Sequence, residues 1–401
     1  MKRTISCIVA LLYAYRMFIP IAVLIPAPAL IIIIALLFIL YPLIGQYQNK
    51  DYIALCAVLF FTEVIMRISQ EVSLATSIYR YLILLPSGLL SLYVYKSKDN
   101  ALLKCLFFAI LIGIGITGCT TYLGCLKFPG ISREMATGSV ELYNDELFRL
   151  GNIGGFDTIY IFNLLLPFWI TIIKDKMMSK VSRFLAAIVV VTSVMGIVQS
   201  EYTTALIFML LSLILFFVPN NMSIKSFLGV AILALIFVLI MKESLPLVFG
   251  YIADNVESTD VKFRMYELSG LVIGEEMSGT DFGSRQDRFI AGIDAFTSSP
   301  LWGTFEVHGG HSFIAMTLGF WGLIGACFIY VMLKKMYTLF IKPFLNHGFN
   351  TCLFFICFMY ISFLVLNPQI YLIAVLFLIP LIGNYIIHRH NMAQPNDKIG
   401  E

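Results

Sequence analysis

The chain has 401 residues, 59% hydrophobic and 13% charged, with a formal net charge of +3. Soluble domains carry about 25% charged residues, so this composition excludes an ordinary soluble globule. No nucleic-acid partner is expected.

Apolar runs of roughly 20 residues, long enough to cross a bilayer, recur from end to end. Backbone polar groups cannot stay unpaired in hydrocarbon, so each run must be helical or part of a closed barrel. Continuous runs such as IIIIALLFIL, without strand-like alternation, select helices. The expected fold class is an all-α polytopic membrane protein with about twelve transmembrane helices.

The first run, MKRTISCIVALLYAYRMFIP, starts basic but meets no small-x-small cleavage site, so it reads as a span and not a signal peptide. By apolar length the spans fall at roughly 4–25, 28–46, 52–70, 78–95, 101–125, 156–173, 183–199, 202–219, 225–249, 311–333, 349–366 and 369–387. Turn-forming breaks separate them, among them Pro26-Ala-Pro28, Pro219-Asn-Asn221 and Asn367-Pro368. Residues 1–249 thus hold helices 1–9, with a loop near 126–155. Residues 250–310 form a large loop containing an amphipathic helix near 285–297. Residues 311–401 hold helices 10–12 and a tail. No internal repeat stands out, which weighs against an inverted-repeat transporter. Most of the eight cysteines lie in apolar runs, where the thiol behaves as a small hydrophobe. No disulfide is expected between Cys119 and Cys125, and no Cys/His spacing fits a zinc site.

Cytoplasmic loops carry an excess of Lys and Arg. If the N-terminus is cytoplasmic, that side collects sixteen cations and the two long loops opposite collect seven. Both termini are therefore expected in the cytoplasm and both long loops outside. Four cations remain, Arg16, Arg67, Arg80 and Lys242, inside spans or at their outer ends. A charge in hydrocarbon costs at least about 2.5 kcal/mol, so it normally faces a polar interior and has a partner. Glu63 and Arg67 are spaced to pair on one helix face. Arg80 and Lys242 have the reach to snorkel to the interface, and Arg16 has no acid nearby in sequence. On this topology Arg16, Arg67, Arg80, Arg149, Arg285 and Arg288 all approach the outer face. Planar guanidinium groups suit bidentate binding of phosphate, so the ligand expected there carries phosphate or pyrophosphate.

The stretch GSRQDRFIAGIDAFTSSPLWGTFEVHGGHSF leads into the tenth span. Phe289, Ile293 and Phe296 share one helical face, Arg285 and Arg288 lie one turn apart, and Ser299-Pro300 stops the helix. Such a helix suits the membrane plane, with its arginines turned to a head group. The flexible HGGH follows, and His311 is expected in the first turn of the span. There an imidazole can serve as base, proton donor or phosphate partner. His308 is the weaker candidate of the two.

Gly283-Ser-Arg285, a helix, Pro300-Leu-Trp-Gly303, His311-Ser and Gly319-x-x-Gly322-Leu-Ile-Gly325 together resemble the C-terminal signature of the O-antigen polymerase (Wzy) and O-antigen ligase superfamily. Members carry Ser/Gly-Arg, an amphipathic helix, a Pro-Leu-Phe-Gly-like turn and His-Asn opening a span that ends in Gly-Leu-x-Gly. This chain departs at Ser312, at Phe289 where Trp is usual, and at Ser200-Glu201-Tyr202 where Ser-Arg is usual. The resemblance implies an all-helical, metal-independent membrane glycosyltransferase with no cofactor. It implies catalytic roles for Arg285, Arg288 and His311. Undecaprenyl-pyrophosphate-linked oligosaccharides are the implied substrates, with membrane lipids and a chain-length regulator as partners. Arg16, Arg67, Arg80 and Arg149 are the candidates for pyrophosphate binding. The expected function is an O-antigen polymerase of the bacterial inner membrane, working at its periplasmic face in lipopolysaccharide biosynthesis. An O-antigen ligase that transfers glycan to lipid A–core, or a flippase of lipid-linked sugars, stays open as an alternative. Tyr143, Phe156, Tyr251 and Trp302 are candidates for stacking on sugar rings.

Overall fold

Apolar runs without charge fold as helix, because every backbone donor and acceptor is then paired within the segment. The computed structural model describes residues 49–69, 87–128, 131–132, 153–240, 244–255, 281–308, 310–367 and 371–393, with positions 4, 74, 262–263, 265–266, 269–270 and 273. Among the described residues all regular structure is helical. Helix α1 spans Lys50–Ser69, α2 Asn100–Lys127, α3 Phe156–Lys174, α4 Lys180–Gln199 and α5 Thr203–Leu213. Helices α6 (Ile224–Ile240), α7 (Leu245–Asn255) and α8 (Asp281–Ser298) follow. Then come α9 (Phe313–Met336), α10 (Asn350–Leu366) and α11 (Ile379–Ala393), the last preceded by a π-helical turn at Ala374–Leu378.

Five helices among the described residues are long and apolar enough to cross a membrane: α1, α2, α3, α4 and α9 with its extension to Phe344. The chain is therefore an all-α protein of membrane-embedded type. The α5 segment, the first part of α6 and α10 are apolar but shorter. The runs expected at 4–25 and 28–46 fall almost wholly outside the described residues. The run expected at 225–249 is instead two helices, α6 and α7. Pro246 stands at the second position of α7, where an absent N–H breaks no helical bond, so it favours a new helix start.

The core lies where α2, α3, α4 and α11 meet. Phe107 of α2 stacks on Tyr385 of α11 with centroids 3.7 Å apart, and Trp169 of α3 lies 6.2 Å from Phe107. Helices α2 and α4 approach closely because Gly118 has no side chain; a Cβ there would sit 2.9 Å from the Thr192 carbonyl. Small residues at such crossings let dispersion act across whole helix faces, which drives helix association in lipid. Cys119 and Cys125 are both free thiols.

The two ends of the bundle differ. One end joins Asp51 to Lys335 at 2.6 Å, and Lys174 to the Leu215 and Val218 carbonyls. His390 lies there between Asp175 Oδ2 at 2.5 Å and the His347 carbonyl at 3.0 Å. The opposite end gathers the last turn of α1, the first turns of α3, α5 and α9, and the end of α10. The candidate site lies at this second end.

Candidate functional site

Helix α8 ends at Ser298, one residue before the Ser299-Pro300 stop. It then turns through Leu301, Trp302 and Gly303 against α9. The two helices run parallel: Arg288 meets His311, Gly292 meets Ala315, and Ala295 meets Gly319. Small residues permit this approach. A Cβ on Gly292 would sit 3.0 Å from Ala315, and one on Gly319 would sit 2.9 Å from the Gly292 carbonyl. The stripe Phe289, Ile293 and Phe296 is therefore not the face that docks. Phe289 and Ile290 stay exposed, Ile293 and Phe296 are half-buried, and Gly292 and Ala295 are buried. Size decides the docking face here more than hydrophobicity does.

The turn plugs a kink in α9. Gly322 leaves helical geometry with φ 58° and ψ −138°. In a straight helix the Leu323 N–H would donate to the Gly319 carbonyl. Here it donates to the Pro300 carbonyl at 2.7 Å, and Gly319 accepts instead from Thr304 N–H at 3.0 Å. The Phe320 carbonyl accepts from Phe305 N–H at 3.2 Å. Gly303, at φ 75°, lies so close to α9 that a Cβ would fall 2.2 Å from the Phe320 carbonyl. Thus Pro-Leu-Trp-Gly and Gly-x-x-Gly-Leu-x-Gly are two halves of one joint, and each needs the glycines of the other.

These partners lie eight to twelve residues along α9 from His311, roughly 12–18 Å at 1.5 Å per residue. From Arg288 to Phe305 the chain is therefore a hairpin of α8 and a returning arm, laid along the first part of α9. Ser69, at the end of α1, donates to the Phe305 carbonyl at 2.7 Å and ties the returning arm to a third helix.

At the top of the hairpin Arg288 Nη1 lies 2.6 Å from His311 Nε2. A guanidinium only donates, so Nε2 is the acceptor. The imidazole in this contact is neutral, with its proton on Nδ1. His311 precedes the first turn of α9 and is not in it: Ser312 is the N-cap, its Oγ accepting from Ala315 N–H at 3.2 Å. Phe313 N–H donates to the Asn367 carbonyl at 2.9 Å, which brings the end of α10 beside the histidine. His308 Nε2 is 3.4 Å from the Glu306 carboxylate, which is 77% exposed, a loose surface pair.

Beside this lies a cluster that the sequence did not single out. Tyr160 of α3 stacks on Tyr371 with centroids 5.6 Å apart, and Phe363 closes edge-on against Tyr160 at 4.9 Å. Phe156 and Tyr202 adjoin them, and the Tyr202 hydroxyl donates to the Ser132 carbonyl at 2.5 Å. The Tyr371 hydroxyl and the Asn367 amide nitrogen are buried with no hydrogen-bond partner among the described residues. The only hint in the sequence was Asn367-Pro368, which reads as a plain span break.

Of the expected site residues, the structure brings Arg288 and His311 together. Arg285 lies in α8 one turn earlier, and its side chain is outside the described residues. Arg67 pairs with Glu63 at 3.1 Å on α1, as their spacing predicts. Arg16, Arg80, Arg149, Lys242 and Tyr143 lie outside the described residues. Of the other candidate stacking aromatics, Trp302 and Tyr251 are 63% and 72% exposed, and Phe156 is half-buried against Tyr160. Glu201 holds the tight link between α4 and α5 at φ 59°. No protein-family model and no curated protein matches this chain.

Proposed function

We propose that the chain is a polysaccharide polymerase of the bacterial inner membrane, with about twelve spans and both termini cytoplasmic. It transfers an undecaprenyl-pyrophosphate-linked glycan onto a second lipid-linked repeat unit at the periplasmic face. The observation that carries this reading is the 2.6 Å contact between Arg288 and His311. It joins a permanent cation to an imidazole at the end of an apolar helix, and both belong to the motif resembling the O-antigen polymerase and ligase superfamily.

In the proposed reaction the anomeric C–O bond to the pyrophosphate breaks and a bond from the acceptor sugar oxygen to that carbon forms. Undecaprenyl pyrophosphate leaves with the electron pair of the broken bond. Arg288, with Arg285 one turn away, stabilises the charge growing on the pyrophosphate through charge-assisted hydrogen bonds. His311 takes the proton of the attacking hydroxyl. Lipid anchoring of both substrates supplies proximity.

The test is complementation of a polymerase-deleted host of the native serotype, comparing wild type with His311→Ala and Arg288→Ala after checking membrane expression. Surface polysaccharide is read on a gel. A ladder from wild type and single-repeat product from both variants is the expected result. Full ladders from well-expressed variants would remove the catalytic assignment. If the chain instead restores every long surface chain to a ligase-deleted host, acceptor choice moves to lipid A–core.

A further inference from the structure

The Arg288–His311 contact blocks the very group that the proposed reaction needs. Neutral imidazole has one lone pair in the ring plane, and at 2.6 Å that pair, on Nε2, is taken by a guanidinium N–H. In this arrangement His311 can donate through Nδ1 and cannot accept a proton. We infer that Arg288 holds His311 as a masked base, and that binding of a pyrophosphate anion draws the guanidinium away and unmasks it. The inference rests on reading this site as one for a lipid-linked pyrophosphate.

Three features make the exchange favourable. Arg288 is exposed, and its contact with His311 engages one of its five N–H groups, so an anion can approach the others. A bidentate guanidinium–phosphate pair makes two parallel bonds between opposite charges, where the contact with His311 is one bond to a neutral acceptor. The backbone that follows His311 is held, because Ser312 caps α9 and Phe313 N–H donates to the Asn367 carbonyl. The exposed arginine, on its longer stem, is the partner with more room to move. Proton abstraction then waits for the donor: without bound pyrophosphate, no lone pair on Nε2 is free to activate an acceptor hydroxyl or water.

The experiment uses the full chain in lipid nanodiscs, with farnesyl pyrophosphate as probe. Calorimetry measures binding. Diethyl pyrocarbonate, which acylates a free imidazole lone pair, measures access to His311 at pH 7, resolved from the other four histidines by peptide mass spectrometry. Arg288→Ala is expected to speed acylation of His311 by about tenfold, the factor set by a hydrogen bond of about 1.4 kcal/mol. Saturating farnesyl pyrophosphate is expected to speed it similarly in wild type and to add nothing in Arg288→Ala. His308 acts as internal reference and keeps its rate throughout. Binding with an unchanged or slower His311 rate overturns the masking and leaves the pyrophosphate site standing. Absence of binding to wild type overturns the pyrophosphate site, and the masking falls with it.

Discussion

Gly303→Ala tests the joint that holds the site. The residue sits at φ 75°, a region that costs an L side chain about 1–2 kcal/mol. The new methyl would also fall 2.2 Å from the Phe320 carbonyl, well inside any tolerable contact. The carbonyl belongs to a helix backbone and the clash cannot be relieved by a rotamer change, so the turn must back out of the kink. Doing so stretches the Phe305 N–H bond to Phe320 and the Leu323 N–H bond to Pro300. Each contributes about 1 kcal/mol net and costs more when its groups are left buried and unpaired. The expected loss is roughly 3 kcal/mol or more. Thermal unfolding of the purified chain in one detergent reads it, with the polysaccharide ladder as a second readout, since α8 carries Arg288. Gly310→Ala is the control: a Cβ there has nothing within 4 Å, so its melting should match wild type within about 0.5 kcal/mol. If Gly303→Ala melts with wild type and keeps a full ladder, the turn is not seated in the kink and the coupling of the two motifs is wrong.

Tyr371→Phe removes a buried hydroxyl that has no partner among the described residues, so thermal stability should hold or rise by about 1 kcal/mol; a clear loss in the same melting assay would reveal a partner such as a bound water. Ser69→Ala deletes the bond to the Phe305 carbonyl and should cost about 1 kcal/mol, while a change nearer zero would show that α1 does not brace the hairpin. His388, near the end of α11, is held below the usual histidine range by burial, with Lys104 and Arg389 adding to the effect. The unfolded chain then binds more protons than the folded one as pH falls below about 6.5, so stability declines with pH in that window. Melting measured from pH 7.5 to 5.5 should show a decline that His388→Gln reduces, and an identical slope in the variant would refute this origin.

Helices were legible wherever one signal dominated. Uninterrupted apolar length gave α2, α3, α4 and α10 to within a few residues of their observed ends. The Glu63–Arg67 pair and the stop at Ser299-Pro300 followed from spacing and sterics. Legibility failed where two segments compete for the same backbone groups. Apolar periodicity picked out Phe289, Ile293 and Phe296, but the face that docks is the one with Gly292 and Ala295, because backbone approach gains more contact than side-chain size. His311 reads as helical by run length, yet Ser312 captures the Ala315 N–H and starts the helix after it. The tyrosine cluster left no pattern, since Tyr160, Tyr202 and Tyr371 come from three segments far apart in sequence.

The hairpin also answers a question of cost. Its turn and extended return lie beside the apolar part of α9, where an unpaired backbone group costs several kcal/mol in lipid. A kinked helix and a non-helical strap would each be unfavourable there alone. Together they cancel. Gly319 loses its helical donor at the kink and Thr304 supplies a replacement, while Phe305 N–H finds the Phe320 carbonyl; Leu323 loses its acceptor, and Pro300 supplies one. The carbonyl of Phe305, the next group exposed, receives the Ser69 hydroxyl. Since each defect is satisfied only by the other, neither segment can shift register without orphaning several groups at once. That mutual dependence fixes how far α8 is slid along α9. With that slide fixed, residue 288 is held opposite residue 311, and a guanidinium on a flexible stem is kept within reach of one imidazole nitrogen.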